Sequence, residues 1–247
     1  MPTVAEAFGW GAFGGAALVI GALVGVWCDL GTRIVGLVMA LGAGVLISAV
    51  AFDLVEEASE TSDGELAVAL GLAVGALTFY AGDRVIAGMG GADRKDIDAE
   101  AQAEGSGLGI ALGAVLDGIP ESIVLGLTLL AGRGVSTAFV AAVFISNLPE
   151  GLASSAGMHA SGWRTGRIVA LWLGVTLVSA LAALSGYALF DSASAGTVAF
   201  VLAFAGGAVL TMLADTMMPE AFEHAGPLVG LVTTAGFALA FGLHLIE

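Results

Sequence analysis

The sequence predicts an all-α integral membrane protein with eight transmembrane helices, and three observations carry that expectation. The 247 residues are 58% hydrophobic and only 12% charged, with a mean hydropathy of +0.99. A water-soluble domain of this length needs far more charge to cover its surface. Apolar runs of about 20 residues, long enough to cross a hydrocarbon layer, recur along the whole chain. Glycine reaches 38 residues while aromatic residues make up 7%. Small residues let helices approach closely, so a compact bundle is expected.

The spans fall at roughly 8–27, 34–57, 66–87, 107–131, 135–159, 166–190, 196–222 and 226–246, within a single transmembrane domain covering residues 1–247. No basic segment or cleavage site precedes the first apolar run, which is therefore expected to be retained as a span. Connections are short except "GMGGADRKDIDAEAQAEGSG" (about 88–107), which is polar and acidic. The loops after spans 1, 3, 5 and 7 carry Arg33, Arg84, Arg94, Lys95, Arg164 and Arg167, whereas the opposite side carries only Arg133. By the positive-inside rule both termini lie outside a cell membrane and the long loop is cytoplasmic.

Composition also excludes classes of function. The net charge is −15, but much of the acid lies in or beside apolar segments. Seven basic residues without a cluster argue against nucleic acid as a partner. The single cysteine, Cys28, rules out an intrachain disulfide and a thiolate metal cluster. No His-Glu-x-x-His pattern, Walker A pattern or serine with a plausible base is present, so the chain is not expected to be an enzyme or to hold a prosthetic group.

Two internal similarities stand out. "GAGVLISAVAFDLVEEA" (42–58) aligns with "AGGAVLTMLADTMMPEA" (205–221), matching Gly44 to Gly207 and Glu57 to Glu220. Span 2 then resembles span 7, which makes spans 1–3 and 6–8 related units of opposite orientation around a central pair, an inverted repeat of the kind transporters use. The second similarity joins spans 4 and 5, "ALGAVLDGIPESIVLGL" (111–127) and "AAVFISNLPEGLASSAG" (141–157), where Pro-Glu recurs 29 residues apart.

Those two segments hold the chemistry. Asp117 and Glu121 are four residues apart, so both carboxylates share one helix face, and Ser146 and Glu150 repeat the spacing. Like charges in a low-dielectric interior cannot both stay ionised without a counter-charge, and no Lys or Arg falls near a span centre. Protonation, water or a bound cation remains. Pro120 and Pro149 offer no N–H to the carbonyls of Leu116 and Ile145, so each helix is expected to kink and expose a backbone oxygen. Carboxylates, free carbonyls and Ser146 or Asn147 at one level would form an oxygen-rich cage suited to a divalent ion.

"DGIPES" and "SNLPEG" resemble the paired motifs of helices 4 and 5 in the ZIP (Zrt/Irt-like) family of metal-ion transporters, whose helix 4 pattern is His-Asn-x-Pro-Glu-Gly. Eight spans, external termini and a long cytoplasmic loop after span 3 are similar to that family as well. The resemblance implies a ZIP-like 3+2+3 fold and transport of divalent metal cations of the zinc, iron or manganese class towards the cytoplasm, cadmium included, by a carrier able to form a homodimer. It implies Asp117, Glu121 and Glu150 as metal ligands, assisted by Ser146 or Asn147. The sequence departs from the family at Asp117, where His is usual, at Gly118, where Asn is usual, and at Ser122, where Gly is usual. Its best match to a helix 6 glutamate is Ser179, so one of two adjacent metal positions is degraded. An all-oxygen site suits manganese, iron or magnesium better than zinc.

Asp53 and Asp215 read as residues of the ion pathway, with Glu220 beside them, and Glu56, Glu57, Glu60, Asp63 and Glu65 as an external acidic fringe. Glu223, His224 and His159 are candidates near the cytoplasmic side, and His244 reads as interfacial. Met212, Met217 and Met218 read as packing, and Trp10, Trp27, Trp163 and Trp172 as interfacial anchors. Two other functions fit the residues: a proton-linked carrier or channel using Glu121 and Glu150 without metal, and a degenerate ZIP-like chain with a regulatory role.

Overall fold

The computed structural model describes residues 3–28, 30–61, 65–91, 107–131 and 135–246. Asp63, Arg94, Lys95, Arg133 and most of the predicted loop fall outside the described residues. Among the described residues there is no strand, and eight long helices follow one another. They are α1 (Val4–Trp27), α2 (Thr32–Thr61), α3 (Glu65–Gly91), α4 (Gly107–Thr128), α5 (Thr137–Ala160), α6 (Thr165–Phe190), α7 (Ala195–Ala225) and α8 (Leu228–His244). Seven are long and apolar enough to cross a membrane, so this is a multi-pass membrane protein. The last helix has 17 residues, shorter than the run at 226–246 suggests, which still amounts to about 25 Å at 1.5 Å per residue.

Local chemistry sets the helix ends. Thr3 accepts from the amide of Glu6 while Glu6 reaches back to the amide of Thr3, a reciprocal cap that starts α1. Ser136 caps α5 through the amide of Phe139, and Ser194 caps α7 through that of Thr197. Gly226, at φ 64°, turns the chain between α7 and α8 just before Pro227.

α2, α4 and α5 form the middle of the bundle: 67%, 67% and 72% of their apolar windows are buried, against 17% for α3 and 33% for α6. The outer faces of α3 and α6 carry exposed Leu66, Leu70, Leu77, Leu173, Leu177 and Leu189. α1 packs on α5 and α6, α6 on α4, α3 on α7, α8 on α2, and α2 on α5. Lipid tails are as apolar as these side chains, so close packing and interhelical hydrogen bonds hold such contacts together. Thr176 of α6 donates to the carbonyl of Gly15 in α1 at 2.9 Å. Trp172, expected at an interface, is instead fully buried, and its Nε1 donates to Ser155 Oγ of α5 at 2.7 Å.

Glycine sits where backbones touch, and among the described residues the eight closest of these contacts fall into four pairs. A Cβ on Gly21 would strike the Leu148 carbonyl, and one on Gly186 that of Ile123; Gly151 likewise meets Leu18, and Gly126 meets Ala183. Gly44 meets Thr233 and Gly207 meets Leu72, while Gly75 meets Phe204 and Gly236 meets Leu41. One exchange generates every partner contact from the first: α1 with α6 at a shift of 165 residues, α2 with α7 at 163, α3 with α8 at 161, and α4 with α5 at 25.

α2 and α7 each contain a π-helical stretch, Val50–Glu56 and Leu213–Met217. Both stretches hold one of the acids singled out from sequence, Asp53 or Asp215. In α7 the cause is legible, because Pro219 has no N–H to offer the carbonyl of Asp215. By contrast, α4 and α5 remain α-helical through Pro120 and Pro149.

Candidate functional site

α4 and α5 bring their polar residues into the interior. Asp117, Glu121, Ser146, Asn147 and Glu150 are all buried, with the three carboxylates 2%, 3% and 7% exposed. The Oε2 atom of Glu121 is sealed from solvent. Burial of three acids in one bundle is costly unless hydrogen bonds, protons or cations compensate it.

Neighbouring helices wall the motifs with small residues. Gly42 of α2 lies against Ser146 and Pro149, since a Cβ there would come within 3.3 Å of both. Gly14 of α1 faces Val143 of α5 and Leu125 of α4, and its carbonyl accepts from Asn147 Nδ2 at 3.1 Å. Ser146 donates to the Val143 carbonyl in its own helix at 3.0 Å. Ser179, matched from sequence to the family's helix 6 position, is buried against α4, its Oγ 3.4 Å from a Cβ built on Gly118. The residues assigned from the two motifs are therefore all buried within the bundle. Among the described residues, however, no three His, Cys, Asp or Glu side chains are grouped within metal-ligand reach of one another.

The exchange relating the two halves shifts α4 to α5 by 25 residues, whereas the Pro-Glu motifs are 29 apart. Glu121 therefore corresponds to Ser146, and the two motifs stand one helical turn out of register. The shared Pro-Glu marks equal chemistry at unequal heights.

The outlying candidates separate. Asp215 is exposed. Glu220 Oε1 pairs with His224 Nε2 at 2.8 Å, and this couple lies near the start of α2, where Gly36 approaches the His224 Cβ. Glu223 and His159 are exposed. Met212 and Met217 are buried, as packing residues are. Asp53 has company that sequence reading did not supply: His244 Nδ1 lies 3.6 Å from its Oδ1, and Ser136 Oγ donates to the same oxygen at 3.4 Å. Up-and-down topology already placed the end of α2, the start of α5 and the end of α8 at one face. That was the only signal available, because 83 residues separate Ser136 from Asp53.

The fold and site thus define a multi-pass helical membrane protein with buried acids on two proline-bearing helices. No protein-family model matches the chain. It is 27% identical over 216 residues to an Arabidopsis thaliana protein named "Putative zinc transporter At3g08650". The match covers 86% of this chain and 34% of that relative, so the chain spans about a third of the relative's length.

Proposed function

We propose that this protein carries divalent metal cations across a cell membrane towards the cytoplasm in the manner of the ZIP family. The observation that carries this reading is the burial of Asp117, Glu121 and Glu150 on two central helices with matched Pro-Glu motifs. Similarity to a relative named as a zinc transporter supports it. In this reading the three carboxylates are the ligands, Ser146 or Asn147 assists, and the carbonyls of Leu116 and Ile145 line the cage. The ligands gather on the ion as it binds, and the charge of the ion replaces the protons that burial would otherwise demand. Asp53, Asp215 and Glu220 belong to the path on either side.

The paired glycine contacts support a 3+2+3 inverted repeat, with α1–α3 and α6–α8 as antiparallel counterparts around α4 and α5. A site at the junction of such repeats is open alternately to each side. Oxygen ligands without imidazole or thiolate favour manganese and iron over zinc. A homodimer in the bilayer completes the proposal.

Uptake into proteoliposomes of zinc, manganese, iron, cadmium and magnesium, measured for wild type and Glu150→Ala, tests it. Loss of uptake in the variant is expected, and uptake indifferent to that substitution overturns the assignment. A second reading needs only burial of Glu121 and Glu150: a proton-linked carrier or channel with no metal. Thermal stabilisation by none of the five metals would select it.

A further inference from the structure

We propose that Asp53, His244 and Ser136 form an outer cation site at the mouth of the pathway, one that receives a four-coordinate metal ion such as zinc before the central carboxylates do. The inference rests on the transport reading above and adds to it a second site of different chemistry. Asp53 sits in the π-helical stretch of α2, at the level where α5 begins and α8 ends. Its Oδ1 is 3.6 Å from His244 Nδ1 and 3.4 Å from Ser136 Oγ.

Those separations are long for direct hydrogen bonds and also suit neighbouring ligand atoms on one metal ion. Bonds of about 2.0–2.2 Å at tetrahedral angles put neighbouring ligand atoms about 3.3–3.6 Å apart. Octahedral magnesium, with ~2.0–2.1 Å bonds, needs only about 2.9 Å, while the longer bonds of calcium would also fit, so the imidazole is what distinguishes zinc from calcium here. The imidazole is aimed rather than loose, since its ring stacks on Phe52 with centroids 5.3 Å apart and planes 30° apart. The His244 side chain is 33% exposed and that of Asp53 10%, so one ligand meets solvent and the other leads inward. Exposed Glu56, Glu57 and Glu60 continue the same helix and raise the local cation concentration. One carboxylate, one imidazole and a neutral hydroxyl leave a position for water and hold the ion weakly enough to release it, as conduction requires. The imidazole selects borderline metals over magnesium and calcium before the all-oxygen centre is reached.

Cobalt(II) reads this site, because its visible bands are strong only in four-coordinate geometry. The full chain carrying Glu121→Ala and Glu150→Ala, purified in detergent, is expected to show a four-coordinate cobalt spectrum that zinc displaces. Adding His244→Ala or Asp53→Asn weakens cobalt binding by about 10-fold or more. His244→Cys keeps the metal and adds a sulfur-to-cobalt charge-transfer band, which a purely structural histidine could not produce. Helical circular dichroism and a single gel-filtration peak certify each variant, and if the double variant does not fold, wild type against His244→Ala gives the same difference. Cobalt binding unchanged by His244→Ala, or no sulfur band in folded His244→Cys, overturns the site. Metal uptake with no four-coordinate spectrum defeats the outer site alone. A spectrum without uptake of any metal defeats the transport reading and leaves the site standing.

Discussion

Ser146 and Asn147 adjoin in sequence yet serve different neighbours. Asn147 gives its amide proton to the Gly14 carbonyl of α1, whereas Ser146 bonds within its own helix and lays its backbone, not its hydroxyl, against Gly42 of α2. Interhelical hydrogen bonds in membranes average about 0.6 kcal/mol and reach ~1.7. Asn147→Ala is therefore expected to lower the melting temperature in detergent by a cost in that range, while Ser146→Ala leaves melting almost unchanged and raises the KM for metal uptake. An Asn147→Ala protein that melts like wild type but carries no metal would move Asn147 into the ligand set. Residue types such as Asp117 and Glu121 were legible in the sequence because charge is conspicuous in hydrocarbon. His244 was not, since a lone histidine near a helix end also fits an interfacial position, and only tertiary packing brings it to Asp53.

At the scale of elements, the glycines explain why this chain spends so little on bulky side chains. Gly44 and Gly207 occupy equivalent contacts, each with its would-be Cβ against the carbonyl of a neighbouring helix, Thr233 in α8 and Leu72 in α3. Leucine at either position must push two backbones apart, and overpacking of that kind costs about 1–3 kcal/mol or more. Gly44→Leu and Gly207→Leu are expected to lower thermal stability by similar amounts. Gly242→Ala, with nothing within 4 Å, is expected to be neutral or stabilising by up to about 1 kcal/mol. Unequal losses at the two leucines would break the equivalence. The pairing of Gly44 with Gly207 could be read from sequence, because both repeats keep the residue that close approach demands. The 25-residue shift between α4 and α5 could not, since the Pro-Glu motifs suggested 29 and only backbone contacts fix the height. The π-helical stretches were equally hidden: Pro219 accounts for the one in α7, and no proline marks the one in α2.

For the molecule as a whole, length and hydropathy made the helices legible, since the thickness of a bilayer sets how long each must be. Orientation came from charge alone, and the chain carries its own probe for it. Cys28, its single cysteine, is exposed at the connection between α1 and α2, on the side where Arg33 and the other basic loop residues lie. If that side is cytoplasmic, a membrane-impermeant maleimide leaves Cys28 unmodified in intact cells and labels it in inside-out vesicles. Ser59→Cys, exposed near the far end of α2, is expected to show the reverse in a Cys28→Ser background. The pair matters because an inverted repeat looks alike from either face, so its packing cannot say which way the chain points. Labelling of Cys28 in intact cells would turn the protein over, placing the Asp53–His244 site at the cytoplasmic mouth and the Glu220–His224 pair outside.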